Sequence, residues 1–227
     1  MKKVFLALCV GNVLASASAS TLLGFGVEAD YYSPEAKGDF RYTDNGITSS
    51  TRFNGDKDSQ YQVGLYLEHP IPILPNIRAD FTPETSFSGE NLAGAGTNTV
   101  KFSQIDTTLY YEILDNVVDL DIGLTGKLVD GQVNGAVNQN FDVIIPMIYG
   151  AVGVKIPALP IRLDADLKYV GYSGNSISDM RIKAAWEVFA GLEAVAGYRY
   201  ESLKLDENDI YSTLKIQGPF FGVGYRF

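Results

Sequence analysis

The sequence predicts an all-β chain, a transmembrane antiparallel up-and-down β-barrel of about ten strands, with eight strands as the alternative. Apolar and polar residues alternate with a period of two along almost the whole chain, whereas helical periodicity is nearly absent. The final residues, 222–227, form such an alternating strand and end on the aromatic Phe227. After the first 20 residues no apolar run is long enough for a membrane helix, so a membrane passage would have to use strands.

The beginning of the chain has the pattern of a secretory signal peptide. Two lysines precede an apolar run that ends at Leu14, and small residues follow it. We expect cleavage after Ala19, with Ala17 as the other candidate. Residues 1–19 would then be a Sec signal peptide, and residues 20–227 a single outer-membrane barrel domain.

Composition argues against several classes of site and partner. The only cysteine, Cys9, lies in the predicted signal peptide, so the mature chain would have neither disulfides nor thiolate ligands. Acidic residues number 27 and basic residues 18, a net charge of −9, which argues against nucleic acid as a partner. With a single histidine in the chain, zinc sites built on histidine or cysteine are excluded. We predict no cofactor and no metal.

In each predicted strand, apolar side chains occupy one face and polar side chains the other. In chain order the ten strands are expected at residues 23–31, 61–68, 77–81, 104–111, 118–125, 141–154, 161–169, 180–188, 193–201 and 211–227. The sixth of these is apolar on both faces, so its phase stays open. In the last strand Leu214 and Ile216 would face lipid, which is out of phase with Phe221. A β-bulge at Gly218-Pro219 would restore a common phase.

The connections between these strands alternate between short turns and longer polar loops. The short turns are expected at residues 69–76, 114–116, 157–160 and 190–191. The longer loops are expected at residues 33–59, 84–100, 129–140, 173–178 and 206–210. With the N-terminus in the periplasm, every short turn lies there and every long loop outside, as in outer-membrane barrels. We expect the longest loop to be a mobile surface segment that contacts phage, host or neighbouring proteins.

The end of the chain indicates the outer membrane of a Gram-negative cell as the location. Tyr225 and Phe227 share the lipid-facing side of the last strand, and this ending resembles the closing strand by which such barrels are recognised for assembly. We therefore expect the barrel-assembly machinery and periplasmic chaperones as partners, together with outer-membrane lipids and lipopolysaccharide. Aromatic residues near both strand ends fit two girdles at the membrane interfaces.

The residues that alternate with the lipid-facing ones are strongly charged. We predict a lumen charge network formed by Arg78, Asp80, Asp106, Asp119, Asp121, Arg162, Asp164, Asp166, Lys168, Arg181, Lys183, Glu187 and Arg199. A cation facing lipid at the bilayer midplane would cost roughly 2–4 kcal/mol, so these charges are expected inside. Because a barrel of this size has a narrow interior, opposite charges would pair and plug it. The alternative is a narrow, porin-like channel for small solutes or cations.

Two acidic clusters lie in the predicted outer loops, at residues 56–58 and 206–209. Their carboxylates could bind calcium or magnesium that bridges to lipopolysaccharide. Neither cluster has the pattern of an EF-hand, so we expect solvated loop segments.

The single histidine is the one candidate for acid–base catalysis. Surface proteases built on ten strands use an Asp pair and a His–Asp pair at the outer rim, and lipid-modifying barrels need a histidine at the outer leaflet. His69 instead precedes Pro70 in a predicted periplasmic turn, where it could not reach such a substrate. We expect a solvated turn residue and no enzymatic activity; a lipid-acting enzyme that uses His69 with Glu68 is the distant alternative.

Several blocks of the sequence resemble a proteobacterial outer-membrane β-barrel family without an assigned activity. Residues 69–78 are similar to its EHP-P-LPN-R turn, and residues 109–116 to its LYYEILDN stretch. Residues 145–150, 172–176 and 218–220 are similar to later blocks of that family. The resemblance implies a single outer-membrane barrel and supplies no substrate or site. The predicted function is an envelope-structural role or a role in surface-loop interaction.

Overall fold

The structure is a computed structural model that describes residues 23–44, 46–71, 73–92, 94, 96–135, 138–207 and 210–227. The predicted signal peptide lies outside the described residues. Within them all regular elements are β-strands, and no helix is long and apolar enough to cross a membrane.

Ten strands form a closed antiparallel barrel and two more form a hairpin on top of it. The strands are β1 (Gly24–Tyr32), β2 (Glu35–Asp44), β3 (Ile47–Lys57), β4 (Gln60–Glu68), β5 (Asn76–Asn91), β6 (Thr97–Leu114), β7 (Val118–Asn134), β8 (Gln139–Lys155), β9 (Ile161–Tyr172), β10 (Asn175–Phe189), β11 (Leu192–Asp206) and β12 (Ile210–Arg226). Around the barrel, β1 is followed by β4 to β12 in chain order, and β12 pairs back to β1. The prediction of an all-β barrel with ten strands is confirmed.

The barrel closes between the first and the last strand. β1 pairs with β12 along most of its length, as far as Tyr32 opposite Phe220. Beyond the end of β12, Phe227 exchanges two backbone hydrogen bonds with Phe25, with N···O distances of 2.8 and 3.1 Å. The closing strand is therefore paired through its last residue and leaves no free edge there.

The segment 33–59 is an ordered hairpin, β2 and β3, and not the irregular loop expected from the sequence. β12 runs past the end of β1 and pairs with β2 in the same register. On the other side, β3 meets β5 at Thr51 and Arg52. The links expected at 84–100 and 129–140 are also mostly strand. The barrel wall therefore continues well above the predicted strand ends.

Two aspartates take the place of strand–strand hydrogen bonds where β3 separates from β5. The carboxylate of Asp56 accepts the backbone N–H of Ser88 (2.6 Å), and that of Asp58 accepts the N–H of Ser86 (2.7 Å). The prediction of a purely solvated cluster at 56–58 is therefore wrong, because these carboxylates satisfy backbone donors that the ladder leaves open. Part of the other cluster, residues 208–209, lies outside the described residues.

The last strand, β12, is regular and lacks the predicted bulge at Gly218-Pro219. Its pairing with β11 keeps one register over its whole length. Leu214 and Ile216 therefore point inward and are buried, as Phe220 is, whereas Phe221 points outward. The prediction that Leu214 and Ile216 face lipid is wrong because the interior at their height is apolar.

The outward face of the barrel is an almost continuous belt of exposed apolar side chains. Its members include Leu65, Leu67, Ile77, Phe81, Ile105, Leu109, Ile122, Leu124, Ile148, Val152, Leu163, Leu167, Ile182, Phe221 and Val223. Exposed aromatic residues mark both edges of the belt: Tyr111, Trp186 and Phe227 at one edge, and Tyr61 and Tyr169 at the other. An apolar surface of this extent indicates contact with a membrane.

Candidate functional site

The candidate site is the interior of the barrel, which has three levels. The end of the barrel with the short turns, Leu23 and Phe227 is called the turn end here, and the opposite end is the hairpin end. A small polar chamber lies at the turn end, a belt of ion pairs at mid-height, and an apolar cavity towards the hairpin end. Each level is built by side chains that alternate with the outward belt, because successive strand residues point to opposite faces.

At mid-height a continuous chain of eight charged side chains connects six strands. This central network consists, in order of contact, of Arg78, Asp80, Lys168, Asp106, Lys127, Asp179, Arg199 and Glu201. Successive N···O distances lie between 2.6 and 3.1 Å. Because cations and anions alternate along the chain, four of each, the central network has no net charge.

The central network reaches from wall to wall and is withdrawn from water. The side chains of Lys127 and Lys168 are each 3 % exposed, although both carry a charge. Arg199 donates to Gln104 on β6 and to Thr82 on β5, on the far side of the barrel, at 3.1 Å each. Buried charges are tolerated only when they are paired and hydrogen-bonded, which is the arrangement found here.

A second group of charges connects β10 to β1. Arg181 donates to Glu28 at 2.9 Å and to Asp30 at 2.8 Å, and Lys183 also bonds Glu28. The guanidinium of Arg181 also stacks over the ring of Phe220, 4.5 Å from its centroid. Two cations face two anions, so this group is also balanced.

A third group lies closer to the turn end. Arg162 pairs with Asp164 on its own strand at 2.7 Å and with Glu193 on β11 at 3.3 Å. Arg226 of the closing strand approaches Glu193 at 4.0 Å. This group links three strands and is balanced in the same way.

The polar chamber at the turn end is small, about 130 Å³, and carboxylates predominate in its lining. Among them are Glu68, which accepts a hydrogen bond from Tyr110 at 3.0 Å, and Glu112. Asp119 pairs at the rim with Lys155, at 3.1 Å. The acidic excess of the interior therefore lies at the turn end, on that side of the balanced ion-pair groups.

The structure places the predicted lumen residues on the inner-facing side of their strands, with Glu187 at the rim. Glu187 is exposed at the β10–β11 turn, where its carboxylate accepts the N–H of Gly191 at 3.2 Å. Asp121 and Asp166 line the polar chamber and form no ion pair within 4 Å in the described part of the chain. Asp119 likewise lies outside the central network.

Two members of the central network, Lys127 and Asp179, lie beyond the ends of the strands predicted from the sequence. The predicted strand 118–125 ends just before Lys127, and the predicted strand 180–188 begins just after Asp179. Alternation continues through both positions, so extending the first of these strands by two residues and the second by one includes Lys127 and Asp179.

Towards the hairpin end the inward side chains become apolar. A buried cluster consists of Ala36, Phe53, Phe87, Val100, Phe102, Val133, Leu214 and Ile216. A cavity of about 430 Å³ adjoins this cluster. Its lining is mainly apolar, with Gln104, Lys127, Asp179 and Glu201 at its floor and Asn140, Ser178 and Ser202 as further polar residues. The cavity therefore rests on the central network.

Comparisons with known proteins bear on this architecture. No family model and no curated protein matches the chain. The outer membrane protease OmpT from Escherichia coli is 12 % identical, with a TM-score of 0.58 over 90 % of this chain and 97 % of that chain. The chain has the fold of a bacterial outer-membrane β-barrel. Further similar structures are the translocator domain of autotransporter NalP from Neisseria meningitidis (12 % identity, TM-score 0.45, 90 % and 88 % covered) and Neisserial surface protein A (14 %, 0.40, 89 % and 97 %).

In outer-membrane barrels the short turns face the periplasm, and His69 lies in such a turn, between β4 and β5. Its Nε2 donates to the carbonyl of Pro75 at 3.1 Å, and its Nδ1 accepts the N–H of Ile71 at 3.3 Å. Both ring nitrogens are therefore used to hold the turn. Within the described residues no group of three or more histidine, cysteine or acidic side chains is arranged to hold a metal.

Proposed function

We propose that this protein is an integral outer-membrane barrel with a closed lumen, which presents the β2–β3 hairpin and the adjoining strand ends at the cell surface without catalysing a reaction. The outward apolar belt with its two aromatic edges supports a position in the membrane. In this orientation the turn end is periplasmic and the hairpin end is outside. Membrane lipids and lipopolysaccharide are the proposed surroundings, and the assembly machinery with its periplasmic chaperones the proposed route there.

The central network is the observation that carries this proposal. Its contacts join β9 to β5 and β6, and β11 to β5 and β6, so they cross the lumen instead of following one wall. A hydrated ion would have to break several of these buried pairs to pass. Breaking one buried pair costs on the order of 3–5 kcal/mol, which is a large barrier for conduction.

The surface role is supported by the rigidity of the hairpin. β2 and β3 are paired with β12 and β5, and Ala36 and Phe53 are buried beneath them in the apolar cluster. The outer face of the hairpin is polar and includes the ion pair of Arg52 with Asp39 at 2.8 Å. Such a surface is suited to contact with another macromolecule through a fixed shape. The non-catalytic assignment rests on His69, whose ring is occupied by the periplasmic turn.

Planar-bilayer conductance of the refolded protein tests closure of the lumen. We expect no current from the wild type. Lys168→Ala/Asp106→Ala, which removes a wall-to-wall pair of opposite charges, should conduct, and Arg52→Ala/Asp39→Ala on the hairpin should stay silent. Each protein must first show the heat-modifiable gel shift of a folded barrel.

The opposite result would favour the narrow channel. Stable current steps from the wild type would contradict a closed lumen. If their cation selectivity also fell in Asp119→Ala/Asp121→Ala, the acidic chamber at the turn end would be the selectivity filter.

A further inference from the structure

The apolar cavity at the hairpin end has the properties of a ligand site. Its volume of about 430 Å³ is within the range of about 300–1,000 Å³ found for small-molecule pockets. Phe141 and Val143 on β8 point into it, yet they are 36 % and 44 % exposed. Apolar side chains that face inward are normally buried in a barrel that side chains fill. These two instead line a space that is open to a further apolar group.

The barrel wall is interrupted beside this cavity. Pairing between β8 and β9 ends at Ile148 opposite Tyr169, although β9 continues to Tyr172 and β8 extends further in the other direction. Pro146, which has no N–H to donate, lies just beyond the last pair. The lining of the cavity passes from β8 to Ile177 on β10 without a residue of β9. This gap between β8 and β9 is called the seam here.

The seam lies at the outer edge of the apolar belt. Ile144 and Ile148 flank it on β8 and Tyr169 flanks it on β9, all facing outward. Ile144 is 68 % and Tyr169 is 41 % exposed, which places apolar and aromatic surface on both sides of the opening. Amphipathic rings prefer headgroup depth. In the proposed orientation the seam therefore opens towards the outer leaflet of the membrane.

The floor of the cavity determines which end of a ligand can enter. Lys127 is already engaged by Asp179 at 2.9 Å and by Gln104 at 3.1 Å, and Arg199 also bonds Asp179 and Glu201. Two cations and two anions balance there, so a charged headgroup would find no unpaired partner. An unpaired charge in an apolar site is costly. A hydrocarbon chain that enters with its methyl end first meets mainly apolar side chains above this floor, among them Phe102, Val129 and Leu214.

We propose that this cavity binds the hydrocarbon chain of an outer-leaflet lipid, which enters through the seam while its headgroup stays outside. The proposal does not depend on the closed lumen, because the cavity lies above the central network. The ligand is a hydrocarbon chain because the lining is mainly apolar and the charges at the floor are already paired.

Quenching of a single tryptophan tests this proposal. Trp186→Phe removes the native tryptophan, and Phe141→Trp then places a reporter in the cavity, with Ile144→Trp on the same strand as the lipid-facing control. The proteins are reconstituted in vesicles that contain a phosphatidylcholine with dibrominated acyl chains.

Two further pairs of substitutions block access to the cavity. Val143→Phe/Ile177→Phe fills the cavity, and Pro146→Cys/Gly171→Cys provides a disulfide across the seam. Each variant is first checked for the heat-modifiable shift.

We expect the brominated lipid to quench both reporters. Filling the cavity or oxidising the cysteine pair should remove most of the quenching at position 141 and leave that at position 144 unchanged. Quenching at position 141 that persists after filling would come from the surrounding bilayer and would overturn the proposal. A second arm uses 1-bromododecane in vesicles without brominated lipid. Quenching at position 141 by this compound, with none by the lipid, would overturn the membrane source and leave a site for free hydrocarbon.

Discussion

Removing Lys127 should be among the most damaging single changes to this barrel. Its Nζ lies 2.9 Å from Asp179, 3.1 Å from Asp106 and 3.6 Å from Glu201. At an effective dielectric constant of about 20 each contact corresponds to roughly 5 kcal/mol of gross Coulomb attraction. Most of this is offset because the variant no longer buries the ammonium group. We therefore expect Lys127→Met to lower the free energy of unfolding by about 3–5 kcal/mol, the usual cost of unpairing buried charges.

A second substitution should recover part of that loss. Without Lys127 the central network has three cations and four anions. Lys127→Met/Asp179→Asn divides it into two neutral parts: Arg78, Asp80, Lys168 and Asp106 on one side, and Arg199 with Glu201 on the other. We expect the double variant to be more stable than Lys127→Met, with a coupling energy of about 1–3 kcal/mol.

Guanidinium unfolding from phospholipid vesicles, followed by the fluorescence of Trp186, measures these free energies. The matched control is Lys101→Met, because Lys101 forms an exposed pair with Glu84 at 3.3 Å and such pairs contribute only about 0–1 kcal/mol. The reasoning is refuted if Lys127→Met unfolds at the wild-type midpoint. It is also refuted if the double variant is less stable than Lys127→Met, because then the network does not depend on charge balance.

Two further predictions concern the hairpin half and the closing strand. Phe87→Ala should cost about 3–5 kcal/mol, since Phe87 is fully buried in the apolar cluster, and proteolysis should then cut the β2–β3 hairpin before the barrel. Gly218→Ala should reduce the heat-modifiable folded fraction, because a Cβ at this position would lie 2.1 Å from the carbonyl oxygen of Ser33. Gly126→Ala is the control, as its Cβ would meet nothing within 4 Å, and equal losses in both glycine variants would contradict the steric argument.

The membrane-facing part of the fold could be predicted because its two faces meet different surroundings. In β4, for example, Tyr61, Val63, Leu65 and Leu67 are exposed on the outward face, while Gln62 points inward. An alternation with a period of two follows directly from that contrast. The strand order and the closure of the barrel then follow from antiparallel neighbours in chain order.

The hairpin and the upper strand ends could not be predicted in the same way. β2 and β3 contain Lys37, Asp39, Arg52 and Asp56 among small polar residues, and their outer face meets water instead of lipid. The composition of such a strand resembles that of a loop, since polar residues occupy the outward positions. Their strand conformation depends on pairing: β2 pairs with β3 and with β12, and β3 meets β5.

The central network could be predicted from the sequence only in part. The inward position of Arg78, Asp80, Lys168 and Arg199 follows from alternation along their own strands. Which charges meet does not, because the contacts of Lys168 with Asp80 and Asp106, and of Lys127 with Asp179, join strands that lie three or four places apart around the barrel. That choice depends on the tilt and stagger of the strands, which alternation does not encode. The reversal to an apolar interior at Leu214 was missed for the same reason.

The apolar cavity and the central network lie one after the other along the barrel axis, and each excludes a different kind of solute. A hydrated ion that arrives from the hairpin end would first have to shed water beside Phe102 and Leu214, where no polar group replaces it. A hydrocarbon could occupy that space, but its next step would force it between Lys127 and Asp179. No single kind of solute is soluble in both levels. Each level therefore selects against a different kind of solute, and the central network is the level whose contacts cross the lumen.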